Sequence, residues 1–150
     1  MNEHDRVADT LAIHALNADF AHHLDHGEVE RLLELFTPDA RYSNGPRVSV
    51  GRAEIETLLR SRTAGGVRTS RHMFSGLRVT FSGPETAEAT SVCMSFARNA
   101  APPVDGTAPF LVADFIDAYV RQKDGRWQIQ ARDIRPVFRD PNGQPPGSRP

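Results

Sequence analysis

The chain has 150 residues, 39% of them hydrophobic and 25% charged, with a formal net charge of -1, the profile of an ordinary soluble domain able to enclose a core and a pocket. Near-neutral charge removes the basis for non-specific nucleic-acid binding, no apolar run reaches membrane-spanning length, and a single cysteine, Cys93, excludes an internal disulfide or a multi-cysteine zinc site. The N-terminus Met1-Asn2-Glu3-His4-Asp5 lacks the basic and apolar regions of a signal peptide, so a cytoplasmic protein is expected.

From Glu3 to Leu24 the apolar residues fall at helical spacing, one stripe carrying Val7, Leu11, Ala15 and Ala18 and an adjoining one Ile13, Leu16, Phe20 and Leu24. Gly27 breaks this helix, Glu28 to Phe36 supplies a second with Val29, Leu32, Leu33 and Phe36 inward, and Thr37-Pro38-Asp39 is a stop signal. Ala40 to Asn44 reads as a short strand, Gly45-Pro46 as a turn, Arg47 to Val50 as another extended piece, and Gly51 to Arg62 as a third helix burying Ile55, Leu58 and Leu59.

From Thr69 onward the period becomes alternating, and four strands are predicted: Thr69 to Ser82, Thr86 to Asn99, Pro109 to Lys123 and Arg126 to Phe138. Ser82-Gly83-Pro84-Glu85 and Lys123-Asp124-Gly125-Arg126 are tight hairpin connections, and the stretch 100–108 is a longer loop. Residues 1–139 form one expected domain, and the Pro/Gly-rich segment 140–150 is an expected flexible or draped tail. Helices first and antiparallel strands afterwards is the layout of an α+β fold. Three helices on one face of a strongly bent sheet would leave a hollow between the layers, where chemistry would sit.

His72 stands out because it places an imidazole inside a half-buried strand. Such a group can exchange a proton near neutral pH, although a core histidine with satisfied hydrogen bonds is the bland alternative. His72 and Phe74 share one strand face while Leu77, Val79 and Phe81 have the opposite parity, so a bulge at Ser75-Gly76 is required if both sets face inward. Asp25, seven residues after Ala18 and fourteen after Leu11, continues that apolar stripe toward the interior; a carboxylate there needs a partner, whereas one capping the Gly27 turn would be solvated.

Tyr42 and Asn44 are two apart on a strand and point the same way, so an inward pair could hydrogen-bond a substrate carbonyl oxygen. Parity does not decide which face of the later strands meets the hollow. Met94, Phe96, Arg98 and Asp114 are taken with Asn44 and Phe74 as candidate substrate-binding residues, and Asp117 as a structural partner of Arg132. Arg60, Arg62, Arg68 and Arg71 form a loose basic cluster that reads as a solvated face. His22, His23, Asp25 and His26 are crowded together, but there is no HExxH string and His26 suits a helix C-terminus, so no metal is expected. Phosphate loops, a Gly-x-Ser-x-Gly elbow and a nucleophilic cysteine setting are missing from the sequence, and no cofactor is expected.

Several ordered strings carry a family resemblance: Leu24-Asp25-His26-Gly27-Glu28, Leu35-Phe36-Thr37-Pro38-Asp39-Ala40-Arg41-Tyr42, Gly51-Arg52-Ala53-Glu54-Ile55, Thr69-Ser70-Arg71-His72 and Gly125-Arg126-Trp127-Gln128-Ile129. Together they resemble the SnoaL-like branch of the NTF2-like superfamily, which includes scytalone dehydratase and ketosteroid isomerase. The resemblance implies a cone-shaped α+β fold enclosing a pocket, dimerisation through the sheet, and an acid–base pair with Asp25 at the helix-end aspartate and His72 at the catalytic histidine. Leu24 stands where scytalone dehydratase has a tyrosine, and its second active-site histidine has no counterpart near Phe96, Ala97 or Arg98.

The function expected is a cofactor-independent lyase or isomerase acting on a small hydrophobic cyclic or polyketide-like carbonyl compound. His72 would move the proton, Asp25 would orient it and raise its basicity, and Tyr42 would stabilise the enolate oxygen. Two other classes stand beside it. A non-catalytic binding or assembly protein of this fold would have Asp25 turned to solvent, and an epoxide hydrolase would need Arg98, Asp114 and Asp117 to converge.

Overall fold

The computed structural model describes residues 3–106 and 108–145. Helix α1 (Glu3–His26), helix α2 (Val29–Glu34), strands β1 (Phe36–Asn44) and β2 (Arg47–Val50) and helix α3 (Arg52–Ser61) precede four long strands, β3 (Thr69–Phe81), β4 (Thr86–Arg98), β5 (Leu111–Arg121) and β6 (Trp127–Arg139). The strands form one six-stranded sheet in the order β2-β1-β6-β5-β4-β3. All neighbours are antiparallel except β1 and β6, which run parallel. Three helices packed on this curved, open and mostly antiparallel sheet give the expected α+β architecture. No helix among the described residues is long and apolar enough to cross a membrane.

The core lies between the helices and the concave sheet face. Ile13, Leu16, Phe20 and Leu24 of α1 are buried, and they pack with Leu32, Phe36, Ile55, Phe115, Tyr119, Trp127 and Ile129. The second stripe read from α1 does not pack: Val7 is 56% and Leu11 63% exposed, and Ala15 and Ala18 face solvent as well. A helix resting on one sheet can bury only one stripe, and the one containing the larger side chains wins. Phe36 is likewise not the end of a helix. It opens β1, and the predicted stop at Thr37-Pro38-Asp39 falls inside that strand, where the β1–β6 register shifts between Phe36 and Arg41.

Two local features set the geometry of the hollow. In β3, Ser75 pairs with Val92 while Arg78 pairs with Thr90, so the strand carries one residue more than its partner, with Gly76 at φ 64°. That bulge turns His72 and Phe74 before it, and Leu77, Val79 and Phe81 after it, toward the same side. The positive φ is the left-handed conformation glycine adopts without steric cost. Gly27, at φ 68°, ends α1 just beyond Asp25.

Beneath the hollow lies a buried polar network. Arg132, fully buried, donates from Nε to Asp117 Oδ1 and from Nη2 to Asp117 Oδ2, both at 2.8 Å, and from Nη2 to Asn17 Oδ1. Tyr119 donates to Asp117 Oδ2 at 2.7 Å. The guanidinium carbon lies 4.3, 5.0 and 5.3 Å from the ring centroids of Phe20, Phe115 and Phe74. The expected structural pairing of Asp117 with Arg132 is thus what the fold contains.

The chain after β6 returns toward the open end of the hollow. Asp140 N–H donates to Phe110 O, Gly143 packs against the Phe110 ring, and Gln144 contacts both Arg68 and Asn99. The part of the expected tail from 146 to 150 lies outside the described residues.

Candidate active site

The end of α1 and the start of β3 meet at Asp25. Its side chain is 5% exposed and receives three hydrogen bonds from two residues of β3: Ser70 Oγ to Oδ1 at 2.8 Å, the His72 backbone N–H to Oδ2 at 2.8 Å, and His72 Nδ1–H to Oδ1 at 2.6 Å. Ser70 and His72 alternate along the strand and therefore share the face that meets the helix end. The stripe argument for an inward Asp25 relied on Leu11 and Ala18, which are exposed. Asp25 is buried instead because β3 crosses the helix terminus there and supplies the donors a buried carboxylate needs.

These contacts fix the protonation pattern. Burial works to raise the Asp25 carboxyl, but the hydrogen bond and charge of His72 prevail and hold it below the usual carboxylate value. Burial lowers the pKa of His72, and Arg62 and Arg68 lower it further; together they outweigh the hydrogen bond and charge of Asp25, which pull the other way. The expectation that Asp25 raises basicity therefore holds only relative to burial alone. At neutral pH an ionised Asp25 faces a neutral imidazole with its proton on Nδ1, leaving Nε2 as the nitrogen with a free lone pair.

His72 borders two hollows. One is a cavity walled by Phe20, Tyr42, Leu58, Ala97, Phe110, Phe115 and Ile134, with Asn44, Arg47, Arg62 and Arg68 on its polar side. The other is an open groove between α1 and β3, lined by His14, Asn17, Phe74 and Ser91. Tyr42 is 8% exposed, its ring set between Phe20 and Phe36 at centroid distances of 6.4 and 5.8 Å. Burial raises its pKa above the ordinary phenol value despite the opposing charges of Arg62, Arg132 and Arg47, so its hydroxyl remains a donor.

The candidate residues thus divide by strand face. His72, Asp25, Tyr42, Asn44 and Phe74 gather around the hollows, with Phe74 reaching the groove. Met94, Phe96, Arg98 and Asp114, taken as substrate-binding candidates, do not. In β4 the inward set is Ala87, Ala89, Ser91, Cys93, Ser95 and Ala97, all buried. Met94, Phe96 and Arg98 have the other parity and lie on the convex face, as does the exposed Asp114 of β5. The inward residues of β4 are small because Phe74 of β3 and Phe115 of β5, on the flanking strands, bring their rings together across it, with centroids 5.0 Å apart. Composition therefore pointed the wrong way: the larger side chains of β4 are the outer ones. With Arg98 and Asp114 outside and Asp117 bound to Arg132 inside, the trio needed for epoxide hydrolysis does not converge. Nor does Asp25 face solvent, as a purely binding protein would have it.

Sequence reasoning missed Ser70 and two arginines, Arg62 and Arg68. Ser70 stands two residues before His72 on β3, and that spacing is the signal that puts it on the same face. Arg62 and Arg68 read as members of a solvated face, yet both line the cavity. Arg60 and Arg71 do remain outside, Arg60 bridging Glu30 and Glu56 at 2.8 Å. Among the crowded histidines, His22 and His23 bring ligand atoms within 4.8 Å of Glu28, where His23 Nδ1 and Glu28 already pair at 2.5 Å. His26 donates instead to His22 O at 2.7 Å.

Comparison with curated proteins gives no match. Solved structures of similar fold include a candidate scytalone dehydratase from Novosphingobium aromaticivorans (22% identity, 98% of this chain and 99% of that one, TM-score 0.80). A variant of Rv3472 from Mycobacterium tuberculosis, of unknown function, shares 22% identity over 91% of this chain and 77% of that one, TM-score 0.78. ActVI-ORFA from Streptomyces coelicolor shares 19% over 86% and 97%, TM-score 0.73. The family model described as the SnoaL-like domain matches residues 5–133, and the chain belongs to that family.

Proposed function

We propose that the protein is an acid–base lyase or isomerase that acts on a small, largely apolar cyclic carbonyl compound without a cofactor. The observation that carries this reading is the Asp25–His72 pair at 2.6 Å beside the cavity. A neutral imidazole whose Nδ1 is committed to a carboxylate can accept a proton only at Nε2. Asp25 then offsets the positive charge that forms on the ring. A substrate with an acidic C–H beside a carbonyl would give that proton to His72, the carbonyl oxygen gaining charge next to the protonated Tyr42 hydroxyl. The imidazolium would return the proton either to a departing hydroxyl, releasing water, or to another carbon of the enolate, completing an isomerisation. The neighbouring candidate scytalone dehydratase is consistent with the first outcome.

The test is turnover of a panel of cyclic β-hydroxyketones in D2O, followed by enone absorbance and by mass-spectrometric deuterium at the α-carbon. His72→Asn and Asp25→Asn should each lower the rate, the first by about 10²- to 10⁴-fold, with far-UV circular dichroism unchanged. Undiminished turnover in His72→Asn would remove the mechanism. We further infer that the protein pairs with a second copy through the convex sheet face, where Met73, Met94, Val112 and Phe138 stand in register across four strands.

A further inference from the structure

The cavity beside His72 is electrostatically lopsided. Arg47 enters it from the start of β2, Arg62 from the C-terminal end of α3 and Arg68 from the segment before β3, and no carboxylate is among the lining residues. The nearby ionised Asp25 offsets part of the charge of Arg62, but its oxygens already accept from Ser70 and His72. On the adjoining rim, Asp140 accepts the Asn142 amide and has Arg139 beside it in sequence and on the same rim. Among the described residues, none of the three cavity arginines has a carboxylate within 4.0 Å.

Arg68 is only partly satisfied by the protein. Its Nη1 donates to Asn99 Oδ1 and Gln144 O at 2.7 and 2.8 Å, and it lies 5.6 Å from the Phe110 ring centroid, while its buried Nε has no partner. Burial and the charge of Arg62 bring its pKa down to about 10, and burial also depresses Arg62. Position at a helix C-terminus favours the charge of Arg62, but does not explain why three cations from separate elements face one apolar hollow. Three arginines exceed the single charge of Asp25; that excess in a partly desolvated site costs stability, and an incoming anion relieves the cost.

We propose that this cavity receives an apolar ring compound bearing an anionic group, carboxylate or phosphate, with Arg62 and Arg47 meeting the anion and Arg68 reinforcing their field. The phenyl and aliphatic walls from Phe20, Leu58, Phe115 and Ile134 hold the ring, so that the substrate enters with its charge toward the arginines and its carbon acid toward His72. This names the ligand class of the site proposed above and rests on that reading for the chemistry, though not for the binding.

Calorimetric titration of the full chain with 2-naphthoate, 2-naphthyl phosphate and the neutral 2-naphthamide separates the possibilities. At least one anion should bind about tenfold more tightly than the amide, and Arg62→Gln and Arg47→Gln should each remove most of that preference while changing amide affinity less than about twofold. The stronger of the two anions identifies the group. Two variants guard against misfolding, since Arg47 is exposed at the start of a short strand. Equal binding of all three ligands, binding of none, or a preference that survives both substitutions would overturn the proposal. The measurement involves no turnover. Selective anion binding in a protein whose His72→Asn variant keeps full activity would retain the subsite and discard the acid–base reading, and the converse pattern would do the reverse.

Discussion

At the level of single residues, His72 is governed by opposing neighbours. Asp25 favours its protonated form, whereas burial, Arg62 and Arg68 favour the neutral one and prevail. This balance predicts the direction of three titrations followed by NMR of the imidazole. In the native chain His72 should titrate below its ordinary value of 6.5, in Asp25→Asn lower still because the opposing carboxylate is gone, and in Arg62→Gln higher because a like charge is gone. The acid limb of kcat/KM should follow the same order, since the neutral imidazole is the base. Both members of the pair bind fewer protons folded than unfolded, so their contribution to stability is complete above about 6.5 and is lost as pH falls, first through the His72 window and then the Asp25 one. A chemical-denaturation series from about pH 8 to about pH 2.5 that shows no such decline, below 6.5 for His72 and below 3.8 for Asp25, would contradict the assignment. Asp25 and His72 were legible in the sequence as residue types in family-like strings. Their protonation was not, because it depends first on burial and then on Arg62 and Arg68, all set by how the rest of the chain packs around the pair.

The elements themselves were readable where one period dominates. The four long strands start and end within two residues of their expected bounds, and the parity change in β3 announced its bulge. Where two readings had equal periodicity, contacts with the rest of the chain decided. Both stripes of α1 have helical spacing, and only packing against the sheet selects Phe20 over Leu11; both faces of β4 alternate, and only the large side chains of the flanking strands select its small set as the inward one. The bulge is the element on which the site most depends. Gly76 has open space where a Cβ would stand, so Gly76→Ala meets conformational strain alone, costing about 1–2 kcal/mol and a few degrees in Tm. Deleting Gly76 should be far worse, because either His72 and Phe74 or Leu77, Val79 and Phe81 must then turn outward. Thermal melts of the two variants distinguish strain from register. Similar small losses in both would mean that the bulge does not hold the two inward sets in phase.

For the molecule as a whole, the buried Arg132 network and the convex sheet face make opposite demands. Arg132 ties β6 to β5 through Asp117 and to α1 through Asn17, so it fixes the helix over the sheet as well as filling space under the cavity. Asp117→Asn leaves a buried guanidinium without its counter-charge and should cost about 3–5 kcal/mol, read from denaturant midpoints. The convex face instead has apolar groups with nothing over them: Met73 is 60%, Met94 39% and Phe138 70% exposed, and with Val112 they form one cross-strand row. A second copy brought against that row would bury it by self-complementary packing, the arrangement a two-fold axis produces. Met94→Glu places a charge at the centre of the row while leaving the concave face, and with it the Asp25–His72 pair, untouched. Sedimentation velocity should show a dimer for the native chain and a monomer for this variant, with turnover per site retained. A native monomer at micromolar concentration, or a variant that still sediments as a dimer, would place any assembly elsewhere on the surface.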